Sequence, residues 1–153
     1  MRELLSTGEV CRVLGVGPAV ICRWLELGII RPARRGHGKG NQHIYSLRDV
    51  LAIALARDLR RRGFSLRQAG GVCESLLNKP LDAIRADIAA GRRYLITASE
   101  SVPPVLASRE SVDDADLLAC HLKGLPLAVI DVGGVLRRIE EAVKADVAAE
   151  VTV

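Results

Sequence analysis

The sequence predicts an α+β chain, with a mostly helical front half interrupted by one β-hairpin and a small α/β segment behind it. Three observations carry that prediction. Helix start and stop signals recur along residues 4–77, a glycine-rich basic stretch lies between two β-leaning triplets, and the rear half mixes short apolar runs with helical periodicity. The 153 residues are 49% hydrophobic, enough apolar surface to bury one ordinary core or two small ones. The expected division is into residues 1–78 and residues 79–153.

Ser6-Thr7-Gly8-Glu9 has the S-x-x-E form of a capping box, so a helix starts there. Val10, Cys11, Val13 and Leu14 give it an apolar face, and Gly15 stops it where a left-handed backbone costs least. Pro18 then suits a first helical position, whose amide would be unpaired anyway. The second helix runs from Pro18 to Leu27, with Ile21, Trp24 and Leu25 on one face and Gly28 as its end. Two short helices joined by Gly15-Val16-Gly17 make a helix-turn-helix. Trp24, sharing the Ile21 face, belongs to its core.

Ile29-Ile30-Arg31 and His43-Ile44-Tyr45 are β-leaning and flank Arg34-Arg35-Gly36-His37-Gly38-Lys39-Gly40-Asn41, which reads as a hairpin with a cationic tip, a wing over about 31–45. Ser46-Leu47-Arg48-Asp49 opens a helix to about Arg62 whose inward positions are Leu47, Val50, Leu51, Ala54, Leu55 and Leu59. Gly63 ends it, and another helix follows near Leu66 to Leu77 despite Gly70-Gly71. Beyond the break at Asn78-Lys79-Pro80, Leu81 to Ala90 reads helical, with Gly91 as its stop. Tyr94 to Ala98 and Val105 to Ala107 read as strands, and Asp113 to Leu122 as a short helix with an acidic first turn. Leu127 to Val132 reads as a buried strand, after which Gly133-Gly134 is expected to turn the chain into a last helix. There Val135, Leu136, Ile139, Ala142, Val143 and Val147 form one stripe.

Charge separates the two halves. Residues 1–80 carry 14 Lys and Arg against 6 Asp and Glu, a net +8, whereas residues 81–153 carry 8 against 12, a net −4. A polyanion-binding front and a rear with another task fit that asymmetry. The four cysteines (Cys11, Cys22, Cys73, Cys120) contain no CxxC pair, and no apolar run approaches the roughly 20 residues of a membrane span, so reduced thiols and a cytoplasmic, nucleoid-associated location are expected.

The run Ser6-Thr7-Gly8-Glu9-Val10-Cys11, Leu14 to Pro18, Arg23-Trp24, Leu27 to Ile30 and Pro32 resembles the N-terminal motif of MerR-superfamily regulators and excisionase-like proteins. Ile44-Tyr45-Ser46, Asp49-Val50 and Arg62-Gly63-Phe64-Ser65-Leu66 continue it in order and spacing, over about residues 4–77. The resemblance implies a winged helix-turn-helix whose helix from Pro18 enters the major groove of duplex DNA, with the wing and the following helix pair on the phosphates. Base-edge contacts would then come from the N-terminal portion of that helix, which starts at Pro18 and whose exposed positions are Ala19, Val20, Cys22, Arg23 and Glu26, with Arg23 the leading polar DNA contact. Phosphate contacts would come from Arg12, Arg34, Arg35, Lys39, His43 and Arg48, with His37 also counted among the DNA-binding residues, while Tyr45 ends the wing strand against the core, from where its hydroxyl could reach a phosphate. Two departures stand out: the order Cys22-Arg23-Trp24 lies nearer the excisionase-like branch, and His43 stands where a wing arginine is usual. The helix from Leu81 is too short for the antiparallel coiled coil through which promoter-remodelling members dimerise.

A single module of this size buries only about 600–1,000 Å² on DNA, so a homodimer is the expected partner arrangement, with a small-molecule effector for the rear segment left open. No enzyme activity, cofactor, metal or membrane partner is expected. Cys120 and His121 are adjacent without a second ligand pair, and the glycines at 36–40 and 133–134 complete no phosphate or dinucleotide fingerprint. Two alternatives remain beside a transcription regulator: an architectural, excisionase-like factor, and a protein-interaction adaptor with a degenerate helix-turn-helix.

Overall fold

The computed structural model describes residues 3–37, 42–76, 78–98, 104–112 and 127–152. In chain order the elements are β1 (Leu4–Ser6), α1 (Thr7–Leu14), α2 (Pro18–Glu26), β2 (Ile44–Ser46), α3 (Leu47–Arg61), α4 (Leu66–Leu76) and α5 (Leu81–Ala89). They continue with β3 (Tyr94–Ala98), β4 (Val105–Ala107), β5 (Leu127–Asp131) and α6 (Val132–Val151). The fold is α+β, mostly helical with two small antiparallel sheets. The expected helix at Asp113–Leu122, the Cys120-His121 pair and Lys39 lie outside the described residues. The chain forms two compact units, Met1–Ala54 with Leu136–Val153, and Leu55–Val135.

In the first unit, α1 packs against α2 and against the β1–β2 ribbon. Capping by side chains fixes where the helices begin. Ser6 Oγ accepts from the Glu9 amide at 3.4 Å while the Glu9 carboxylate accepts from the Ser6 amide at 2.7 Å, the reciprocal pair the sequence predicts. Ser46 and Asp49 exchange the same two bonds at the head of α3, at 3.2 and 2.8 Å. Gly15 closes α1 at φ 65°, in the left-handed region where a side chain would be strained. Leu5, Val10, Ile21, Tyr45, Leu47 and Val50 are buried here, each large aliphatic side chain contributing about 1.5–3 kcal/mol over exposure. From α6, Leu136, Ile139 and Val143 of the predicted stripe are buried, while Ala142 and Val147 are half-buried.

The hairpin differs from expectation. Ile29-Ile30-Arg31 forms no strand, because the amides of Ile29 and Ile30 both turn back to the Trp24 carbonyl, at 2.9 and 3.5 Å, and finish α2. The returning strand β2 pairs instead with β1, in the register Leu4 to Ser46, Leu5 to Tyr45 and Ser6 to Ile44. Among the described residues of the expected hairpin there is one antiparallel bridge, Arg34 to Ile44, with bonds of 3.0 and 2.8 Å.

In the second unit α4 forms despite Gly70-Gly71, and a third reciprocal cap explains why it starts: Ser65 and Gln68 exchange bonds of 2.9 and 3.1 Å. Along α3, whose residues up to Ala54 belong to the first unit and from Leu55 to the second, Ile53 and Ala56 are buried as well as the six predicted positions. The sheet runs β4-β3-β5, all antiparallel, with Leu95 opposite Leu106 and Ile130.

Gly133-Gly134 corrects a second expectation: the pair is not a turn but the first turn of α6. Asp131 accepts from the Gly134 amide at 3.0 Å and also holds Arg93 through bonds of 2.8 and 2.9 Å. A Cβ on Gly134 would stand 2.7 Å from Asp131 Oδ2, and one on Gly133 would stand 3.2 Å from Arg93 Nε and Ile88 Cγ2. The glycines ease that close approach of side chains rather than change the chain direction.

Candidate nucleic-acid interface

Helix α2 is fixed by what it buries: Ile21 is fully enclosed and Trp24 nearly so, at 9% exposure. Pro18, Ala19, Val20, Cys22, Arg23 and Glu26 are exposed, so one helix carries the whole set of expected base-contacting positions on its solvent side. Its N-terminus opens on Gly17, which supplies no side-chain cap, and Pro18 occupies the first turn. Trp24 lies in the core as predicted.

The basic loop is stitched at its base. Beyond the Arg34–Ile44 bridge, the Gly36 amide donates to His43 Nδ1 at 3.2 Å, so His43 is half-buried and has a structural bond to keep. Arg34, Arg35 and His37 are exposed on the same loop. Arg48, in the first turn of α3, is half-buried.

Two expected phosphate contacts sit otherwise. Tyr45 is wholly buried at 0% exposure, in the core where its ring was expected, and burial pushes its phenol above the usual range; a hydroxyl so enclosed cannot meet a phosphate, which removes only that second role. Arg12 is exposed but its guanidinium is engaged by Asp146, which raises its pKa further. Two features escaped the sequence reading. Arg60, Arg61, Arg62 and Arg67 stand exposed around the α3–α4 junction, and the run of three consecutive arginines was the signal. Nearby Arg57 has its charge disfavoured, first by burial and then by Arg61. The approach of Glu9 to Asp146 and Glu150 left no local signal at all, since these residues are more than a hundred positions apart.

Residues 5–76 match the family model described as the MerR HTH family regulatory protein. This stretch is a MerR-type helix-turn-helix domain. The MerR-type domain is that of a DNA-binding transcription regulator, and its limits contain α1, α2, the basic loop, α3 and α4. No curated protein matches the chain. Among the described residues, no helix is long and apolar enough to cross a membrane.

Proposed function

We propose that the chain is a sequence-specific, dimeric regulator of prokaryotic transcription that sets α2 in the major groove and the loop closed by Arg34 and Ile44 on the backbone. The observation that carries this reading is α2 itself, anchored by Ile21 and Trp24 with Leu25 half-buried beside them, and exposing Ala19, Val20, Cys22 and Arg23 near its open end. Helix N-terminal residues are the ones that reach base edges in helix-turn-helix complexes. Arg23, Arg34 and Arg35 supply charge, and the arginines at the α3–α4 junction add a second phosphate-binding segment. Residues 79–153 serve as the dimerisation or sensing segment, and the protein works in the cytoplasm at the nucleoid.

Binding to duplex DNA tests the reading directly. With roughly five phosphates neutralised, log K falls by about 4.5 per decade of salt. Arg23→Ala combined with Arg35→Ala reduces that slope by up to about 1.8 and weakens binding at least tenfold, whereas an adaptor would keep its partner unchanged. A wild-type protein that ignores duplex DNA in dilute buffer overturns the proposal. Selection from random duplexes then separates a regulator, which recovers a two-fold symmetric site, from an architectural factor, which recovers direct repeats.

A further inference from the structure

Arg12 sits in the last turn of α1 with its side chain 54% exposed, yet it is fully engaged: Nε donates to Asp146 Oδ1 at 2.8 Å and Nη2 to Oδ2 at 3.1 Å. Glu150 Oε1 stands 3.7 Å from the same Nη2. Glu9 completes the group, since one oxygen from each of Glu9, Asp146 and Glu150 falls within 4.8 Å of the others. Three carboxylates this close repel one another, and the guanidinium is the cation set against two of them. The two-pronged geometry is the one an arginine adopts with a phosphate.

Position argues against a purely structural role. Glu150 lies in the last turn of α6, where a negative charge opposes the helix dipole, so it gains nothing from the helix it belongs to. Exposure is uneven, 54% for the Arg12 side chain against 18% for Asp146, so the guanidinium keeps a face that a competing anion can approach while its two-pronged pair is held. Arg12 belongs to the same helix-turn-helix whose charge the DNA-binding reading needs.

We propose that the acidic end of α6 acts as a built-in phosphate mimic, an autoinhibitory contact that holds Arg12 and releases it to a DNA phosphate when those carboxylates are neutralised or displaced. This inference rests on the DNA-binding reading above. It gives the last helix a direct means of setting affinity, through competition for one arginine.

The test uses the full chain and a mixed-sequence duplex of about 30 base pairs, with affinity followed by fluorescence anisotropy across salt. Asp146→Asn with Glu150→Gln frees Arg12 for one more phosphate, so binding tightens about eightfold near 0.1 M salt and the salt slope steepens by about 0.9. Glu150→Gln alone, which leaves the closer pair intact, tightens binding less. In an Arg12→Ala background the same substitutions give no gain, because there is no guanidinium to release. An equal gain in both backgrounds means that charge removal alone acts, and overturns the latch. So does wild-type binding that the carboxylate substitutions leave unchanged in proteins with intact far-ultraviolet circular dichroism. Failure of every variant, wild type included, to bind at low salt removes the DNA-binding reading and the latch with it.

Discussion

Helices α1 and α2 are nearly equal in length, eight residues against nine, yet they are finished in different ways. Both ends of α1 are closed, by the Ser6–Glu9 exchange at one and by left-handed Gly15 at the other. The start of α2 is open at Gly17, and of its residues only Ile21 and Trp24 are buried. The first helix therefore carries its own local stabilisation, while the second relies on two anchors and leaves the remainder of its surface uncommitted. Under the proposed function, such a division is what a scaffold helix and a reading helix require of the same small core.

The sharpest way to break that comparison is to remove an anchor. Ile21→Ala should cost about 2–5 kcal/mol in urea unfolding, against less than about 0.5 kcal/mol for its exposed neighbour Val20→Ala. Similar costs for the two would mean that α2 is not held at two points. Capping gives a smaller contrast: Ser6→Ala should lose about 1 kcal/mol, whereas Gly17→Ser, which adds the missing cap, should gain a few tenths. Thermal melts of the two variants moving in the same direction would contradict the description of closed and open ends.

Thiol chemistry tests exposure without a change in stability. Cys22 lies exposed on α2, Cys11 is half-buried on α1 with its thiol raised by burial and by Cys22, and Cys73 is buried with its thiol pushed up to about 12. Maleimide at pH 8 should modify Cys22 first and leave Cys73 untouched until the chain unfolds, as peptide mapping would report. Because folding raises the Cys73 value above the ordinary thiol range of about 8.5, the folded chain holds that proton more tightly. The associated stability is complete below that range and declines as pH climbs through it toward 12. Rapid labelling of Cys73 in the native protein would break the assignment.

Much of the helical order was legible because its signals are local. Ser6, Gly15, Pro18, Gly63 and Gly91 each act on the residues beside them, and all five appear in the structure, Ser6 and Pro18 as helix starts and Gly15, Gly63 and Gly91 at φ 65°, 94° and 89°. Features depending on distant partners were not. Strand β1 is three residues long and overlaps the capping box at Ser6, and its partner lies about forty positions away, so no alternation could announce it. Ile29 and Ile30 have strand-like side chains, but the end of α2 had prior use of their amides. Gly133-Gly134 looked like a turn because Arg93 and Ile88, which press on Gly133 from elsewhere in the chain, are invisible until the sheet is formed, and Asp131 approaches Gly134 only once the helix has begun. The exposed set on α2 and the core place of the Tyr45 ring followed from local pattern, whereas the engagement of Arg12 followed from a tertiary neighbour.

The two stitches below the tip of the basic loop have a thermodynamic consequence. Arg35 lies between the Arg34–Ile44 bridge on one side and the bond from Gly36 to His43 on the other, so its main chain is already confined before any ligand arrives. Ordering a free backbone residue costs roughly 1–2 kcal/mol of entropy, and a segment settled in advance loses only side-chain rotamers on docking. Preorganisation of this kind raises affinity without adding a single contact, and it would be forfeited if His43 could no longer accept the Gly36 amide.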